Sequence, residues 1–155
     1  MIRRVVLLAT VALFPAAAVA HAQAGSATST CIGRFCYVDG QIGAETFSTT
    51  TYQVGQFTFT EGQVGSRTLS ATSYQIGEFT FTDGQIGTEP VNTTSYPLGQ
   101  FQYTGGTLGS QSVSATSYRI GSFTFTDGQV GTRSLNATDY AIGQCRYTDL
   151  EIGNP

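Results

Sequence analysis

The chain has 155 residues, of which 7 are Lys or Arg and 10 are Asp or Glu, so its formal net charge is −3. With charged residues at only 11%, it lacks the cation clusters that nucleic acid requires, and no nucleic-acid partner is expected. Nineteen glycines, together with a high content of β-branched and aromatic residues, oppose helix throughout.

Met1 to Ala22 reads as a secretory signal. Arg3-Arg4 supply the charged start, 5–20 the short apolar run, and Ala20-His21-Ala22 a small-x-small cleavage site. The expected division is therefore a signal peptide over 1–22 and a single β-hairpin repeat domain over 23–155. The apolar run is too short and too poorly flanked for a membrane span, and no lipobox precedes Cys31. The expected product is secreted, periplasmic or held at the cell envelope, without a membrane span after signal removal. Cleavage after Ala22 leaves five arginines against ten carboxylates, a formal charge of −5, with no lysine or histidine.

From Cys31 onward a unit of 22 residues recurs about six times, as in Thr72 to Val91, TSYQIGEFTFTDGQIGTEPV. Each unit opens on an aliphatic-Gly pair such as Ile76-Gly77 and continues with two apolar residues two apart, Phe79 and Phe81, a strand signal. Next comes Asp39-Gly40, Glu61-Gly62, Asp83-Gly84, Gly105-Gly106 or Asp127-Gly128, and Asp-Gly between apolar runs predicts a two-residue hairpin turn. Folding about Asp83-Gly84 pairs Phe81 with Ile86 and Ile76 with Val91, with Gly77 and Gly87 as bulges. A turn at Thr72-Ser73 would set Arg67 opposite Glu78 and Leu69 opposite Ile76. The expected hairpin has one apolar face and one Ser/Thr/Gln face. The recurrent Tyr52, Tyr74, Tyr96, Tyr118 and Tyr140 fall where units join, as packing residues or an aromatic rim for a ligand.

The ends complete each other. Ser26 to Thr30 matches the tail of a unit, and Ala141 to Pro155 is a unit without its tail. A chain whose ends share a repeat suits an all-β ring or shallow barrel closed by overlap, because closure removes two exposed sheet edges. An open β-solenoid is the alternative.

Little in the chain suggests catalysis. Asp39, Glu61, Asp83 and Asp127 occupy one repeated position, which marks them as structural, and neither a catalytic set nor zinc ligands remain after the signal. Stacked acidic positions would suit calcium, but Gly105 interrupts the series and the spacing differs from calcium-binding repeats. No catalytic residue, metal site or cofactor is expected, and the chain is read as a non-enzyme. Cys31, Cys36 and Cys145 are the structural disulfide candidates, one bond and one thiol. Cys145 could pair with Cys31 or Cys36 across a closed ring, whereas a bond from Cys31 to Cys36 requires 32–35 to fold back. Asn92-Thr93-Thr94 and Asn136-Ala137-Thr138 are formal glycosylation sequons, relevant only in a eukaryotic secretory route.

With its aliphatic-Gly pairs on either side of each Asp-Gly, the stretch from Cys31 to Gly153 resembles the β-flower proteins, shallow symmetric barrels of repeated hairpins. The resemblance implies a non-enzymatic, envelope-associated role and supplies no catalytic residues. The expected function is an exported structural or interaction module, a monomer that engages an unknown protein, glycan or lipid through a face of the ring. The alternative is an ice- or surface-binding β-solenoid presenting Thr58/Thr60, Thr80/Thr82 and Thr124/Thr126 as a threonine array, broken at Cys36/Val38, Gln102/Thr104 and Arg146/Thr148.

Overall fold

A computed structural model describes residues 23–143 and 145–153, so the signal expected over 1–22 lies outside the described residues. They form twelve antiparallel strands: β1 (Gln23–Ile32), β2 (Phe35–Ile42), β3 (Glu45–Val54), β4 (Phe57–Val64), β5 (Arg67–Ile76), β6 (Phe79–Ile86), β7 (Glu89–Leu98), β8 (Phe101–Leu108), β9 (Gln111–Ile120), β10 (Phe123–Val130), β11 (Arg133–Ile142) and β12 (Cys145–Ile152). Consecutive strands are neighbours throughout, and β12 pairs with β1 to close a barrel. The ring expected from the complementary chain ends is therefore formed, by Gln23 to Thr30 lying against Cys145 to Ile152. Following the register once around returns to β1 displaced by about 12 residues, one per strand, a ratio that tilts the strands by roughly 36°. Twelve strands at the usual spacing then give a backbone diameter of roughly 22 Å.

The turns are not at Asp-Gly. Asp83-Gly84 lies inside β6, where Gly84 pairs with Ala71 and Val91. The chain reverses instead at the aliphatic-Gly pairs, through the two residues that follow the aliphatic, as at Gly77-Glu78 and Gly87-Thr88. Gly77 has φ 61° and Gly87 φ 60°, and among the described residues no non-glycine has positive φ, the pattern of a type II′ turn with Gly first. These turn geometries match the twist of the flanking strands, so the pairs expected to be bulges are the hairpin turns themselves. The registers drawn around Asp83-Gly84 and Thr72-Ser73 fall with it: Ile76 pairs with Phe79, Phe81 with Tyr74 and Thr94, and Leu69 with Ile86 and Gly62. Arg67 pairs in register with Val64 and makes its ion pair with Glu45, at 3.2 Å, not with Glu78.

Gly84 serves a different purpose. A Cβ there would lie 2.4 Å from the Ser70 carbonyl oxygen and 2.7 Å from the Ala71 Cα, so only glycine admits the neighbouring strand this closely. The inward position across the ladder from each such glycine is filled by a large side chain: Phe47 faces Gly40, Leu69 faces Gly62, Val91 faces Gly84, Val113 faces Gly106 and Leu135 faces Gly128. At the seam the arrangement is reversed, since Gly25 on β1 faces Leu150 on β12.

The two ends of the barrel differ. Turns running from even to odd strands gather at one end, where Ile42, Val64, Ile86, Leu108, Val130 and Ile152 point inward and are buried with Phe47, Leu69, Val91, Val113 and Leu135. This packed end is rimmed inside by Gln23, Glu45, Arg67, Glu89, Gln111 and Arg133, so polar and charged groups cover the apolar core. Midway, inward hydroxyls pair across the hairpins: Thr51 with Thr60 at 3.0 Å, Ser73 with Thr82 at 2.7 Å, Ser117 with Thr126 at 2.8 Å. Buried polar groups that pair in this way avoid the desolvation cost of burial without a partner.

Candidate functional site

The other end of the barrel carries the unusual surface. Strand alternation sends Tyr74, Ile76, Phe79 and Phe81 to the outer wall, and the same four positions recur in every hairpin. The expected hairpin with one apolar and one polar face is thus replaced by strands that change polarity along their length. Toward the packed end the inner face is apolar and the outer face polar; toward the opposite, open end the outer face is apolar and the inner face polar. The aliphatic residues ahead of the open-end turns are the most exposed: Ile32 68%, Ile76 62%, Leu98 63% and Ile142 64%.

The recurrent tyrosines hold this belt together. Tyr52 packs on Phe35 at 5.8 Å and on Phe59 at 5.4 Å, Tyr74 on Phe57 at 6.1 Å and Phe81 at 5.5 Å, and the same alternation continues to Tyr140 against Tyr147 at 5.6 Å. They therefore pack between hairpins, on the outside of the wall. Ring contacts of this kind each contribute about 0.5–1.5 kcal/mol beyond area burial. The belt thins only at the seam, where Thr30 faces Cys145.

Inside the open end the wall is polar. Gln75 and Arg119 are exposed, Gln53, Gln102 and Arg146 half-buried. Arg119 Nε donates to the Gly121 carbonyl at 2.9 Å and Gln75 Nε2 to the Gly77 carbonyl at 3.0 Å, so these side chains brace the turns of the mouth. Just below sits Asp139, where the other hairpins place Ser or Thr. Thr148 donates to its carboxylate, yet burial dominates and raises its pKa, with the Thr148 hydrogen bond and the Arg146 charge opposing.

The three cysteines separate across the wall. Cys31 and Cys36 face each other beside the Gly33-Arg34 turn, Cα atoms 4.0 Å apart, and are bonded to each other. The fold-back of 32–35 that this bond needed is simply a hairpin turn. Cys145 is a free thiol opposite Thr30, the residue before Cys31. Because adjacent residues point to opposite faces, Cys145 lies on the outer face and Cys31 on the inner, which is why ring closure does not join them.

Asp39, Glu61, Asp83 and Asp127 lie on the outer wall just beyond the belt, on β2, β4, β6 and β10, each separated from the next by at least one intervening strand. Alternate strands stand about 10 Å apart, too far for two of these carboxylates to share one ion. Among the described residues, no group of three or more His, Cys, Asp or Glu could hold a metal ion. A depression of about 340 Å³ beside Gly40 is lined by Asp39, Thr46, Phe47, Ser48 and Gln63 and brings a single ionisable side chain to its surface. No helix among the described residues is long and apolar enough to cross a membrane.

No family model, curated protein or solved structure matches this chain.

Proposed function

We propose that this is an exported, non-enzymatic interaction module of the cell envelope, as the resemblance to β-flower proteins implies, and that its working surface is the outer belt. The observation that carries the reading is the belt itself. Solvent-exposed apolar patches on monomeric proteins rarely exceed a few hundred Å², and larger ones mark interaction sites. Thirteen large side chains, seven aromatic and six aliphatic, are 39–68% exposed, and at about 150–250 Å² for an aromatic and somewhat less for an aliphatic they present on the order of 1,000 Å². Export rests on the charged start, apolar run and Ala20-His21-Ala22 of the sequence, and a disulfide is the chemistry of an oxidising compartment.

Surface recognition through a threonine array has less support. Thr60, Thr82 and Thr126 point into the barrel and are 6%, 4% and 3% exposed, so the array on which that alternative rests is not presented to solvent.

Cell fractionation tests the proposal. The mature chain, cleaved near Ala22 by N-terminal sequencing, should be retained with the envelope, and Ile76→Gln with Leu98→Gln and Ile120→Gln should release it. Retention unchanged by these substitutions, or an uncleaved Met1 species, would refute it.

A further inference from the structure

We infer that the partner of the belt is a lipid surface of low charge, into which the open end of the barrel dips to a shallow depth; this rests on the belt being the working surface. Three features of the wall converge on that occupant.

The first is that the belt runs around the barrel. Six near-identical hairpins present it in every direction. A typical protein interface takes about 800 Å² from each partner, and a second copy laid beside a convex wall covers one sector and leaves the others in water. A fluid apolar phase covers all sectors at once.

The second is that the belt ends at one level. Because every repeat has the same register, the change from Phe81 to Asp83 on one hairpin recurs as Phe59 to Glu61 and Phe125 to Asp127 on others. The boundary is a plane across the barrel axis, the shape of a boundary between two media. Two rows of outward side chains make the belt about 10 Å tall, which matches the roughly 5–10 Å reached by interfacial segments and falls well short of the roughly 25 Å band of a spanning barrel. At this end the outer wall is apolar around a polar lumen, which is also how barrels meet lipid.

The third is charge. The belt carries none, and the first outward row beyond it is acidic: Asp39, Glu61, Asp83, Asp127 and Asp149 are exposed where lipid headgroups would lie. Such a collar tolerates a zwitterionic surface and repels an anionic one. Beyond the belt, among the described residues, only two-residue turns project: Gln56, Gln100 and Ser122 are uncharged at their tips, while Arg34 and Glu78 add one cation and one anion, so this rim carries no net charge and its two charged tips limit the open end to headgroup depth.

Flotation of the mature chain with phosphatidylcholine vesicles tests this. The protein should rise with the vesicles, and Ile76→Gln with Leu98→Gln and Ile120→Gln should weaken partition at least tenfold while leaving circular dichroism unchanged. Replacing a third of the lipid with phosphatidylglycerol should weaken binding, with salt restoring it. Tyrosine emission of the unaltered protein should be quenched more by bromine near the headgroup than by bromine near the chain end, a readout that needs no variant. Protein left unbound by phosphatidylcholine overturns the lipid assignment, as does stronger quenching from the chain end. Concentration-dependent self-association abolished by the same triple substitution would name a second copy instead, and envelope retention that still depends on the belt would then leave the broader function standing.

Discussion

The reversed pair at the seam can be tested by reversing it again. Leu150 is 6% exposed and stands where four other even strands place glycine after their acidic residue, while Gly25 stands where the other odd strands place Phe, Leu or Val. Leu150→Gly removes a whole buried side chain; truncation of a core leucine to alanine costs about 2–5 kcal/mol, and glycine in a strand adds about 0.5–1 kcal/mol. Gly25→Leu overpacks the site, since even a Cβ there would lie 2.6 Å from the Gln41 carbonyl oxygen and 2.8 Å from Ile42 Cγ1, at a cost of about 1–3 kcal/mol. If the two residues compensate, the double variant recreates the Leu69 and Gly62 arrangement, the new leucine fills the space that Leu150 leaves, and a coupling of about 0.5–3 kcal/mol is recovered from the summed loss, while the contact with Gln41 on β2 remains in both backgrounds. Urea unfolding followed by far-ultraviolet circular dichroism gives the coupling energy as a double-mutant cycle. Strict additivity would show that the reversal does not couple across the seam.

Gly84→Val should cost about 1–3 kcal/mol by urea unfolding because its Cβ meets backbone, whereas Gly77→Ala, with nothing within 4 Å of its Cβ, should cost only about 1 kcal/mol of turn strain; the opposite order would return the turn to Asp83-Gly84. Asp139→Ser should stabilise the barrel at neutral pH. The raised pKa means that the folded state holds the proton more tightly than the unfolded chain, so the contribution of Asp139 is full below the unfolded pKa and lost as pH rises through the folded one. The gain in melting temperature should therefore shrink toward pH 3, and an equal gain at both pH values would show that burial of the charge is not its cause. Non-reducing peptide mapping should recover Cys31 linked to Cys36 with Cys145 open to alkylation, and reduction should cost up to about 2 kcal/mol for so short a loop; a monomer with Cys145 cross-linked contradicts this.

The architecture was legible because it repeats. A period of 22 residues, β-forming composition and two partial units that sum to one were enough for six hairpins closed in a ring. The turns were misread because Asp-Gly is a strong hairpin signal taken alone. Two strands per unit need two reversals, however, and Asp-Gly offers one, while aliphatic-Gly pairs occur twice, as Gly77 and Gly87 do. The absence of a glycine at Asp149-Leu150 pointed the same way. The belt stayed hidden because a uniform amphipathic strand was assumed: counting outward residues from the true turns places Ile76 and Phe79 together on one face, and only then do Tyr74 and Phe81 join them. Cysteine pairing likewise depended on the parity of Thr30 and Cys31, which no spacing along the chain reveals before register is known.

Closure by overlap also sets an order of assembly. Eleven of the twelve pairings join consecutive strands across reversals of two residues, so each can zip from its neighbour with little loop entropy to overcome. The twelfth must bring together Thr30 and Cys145, 115 positions apart, after the wall has curved. Until that moment the meander has two free edges, β1 and β12, each complementary to the other and to the same edge partner on a neighbouring molecule. At high concentration during refolding, capture of one chain's β1 by another chain's β12 competes with closure, and the product is a strand-exchanged dimer with every repeat intact.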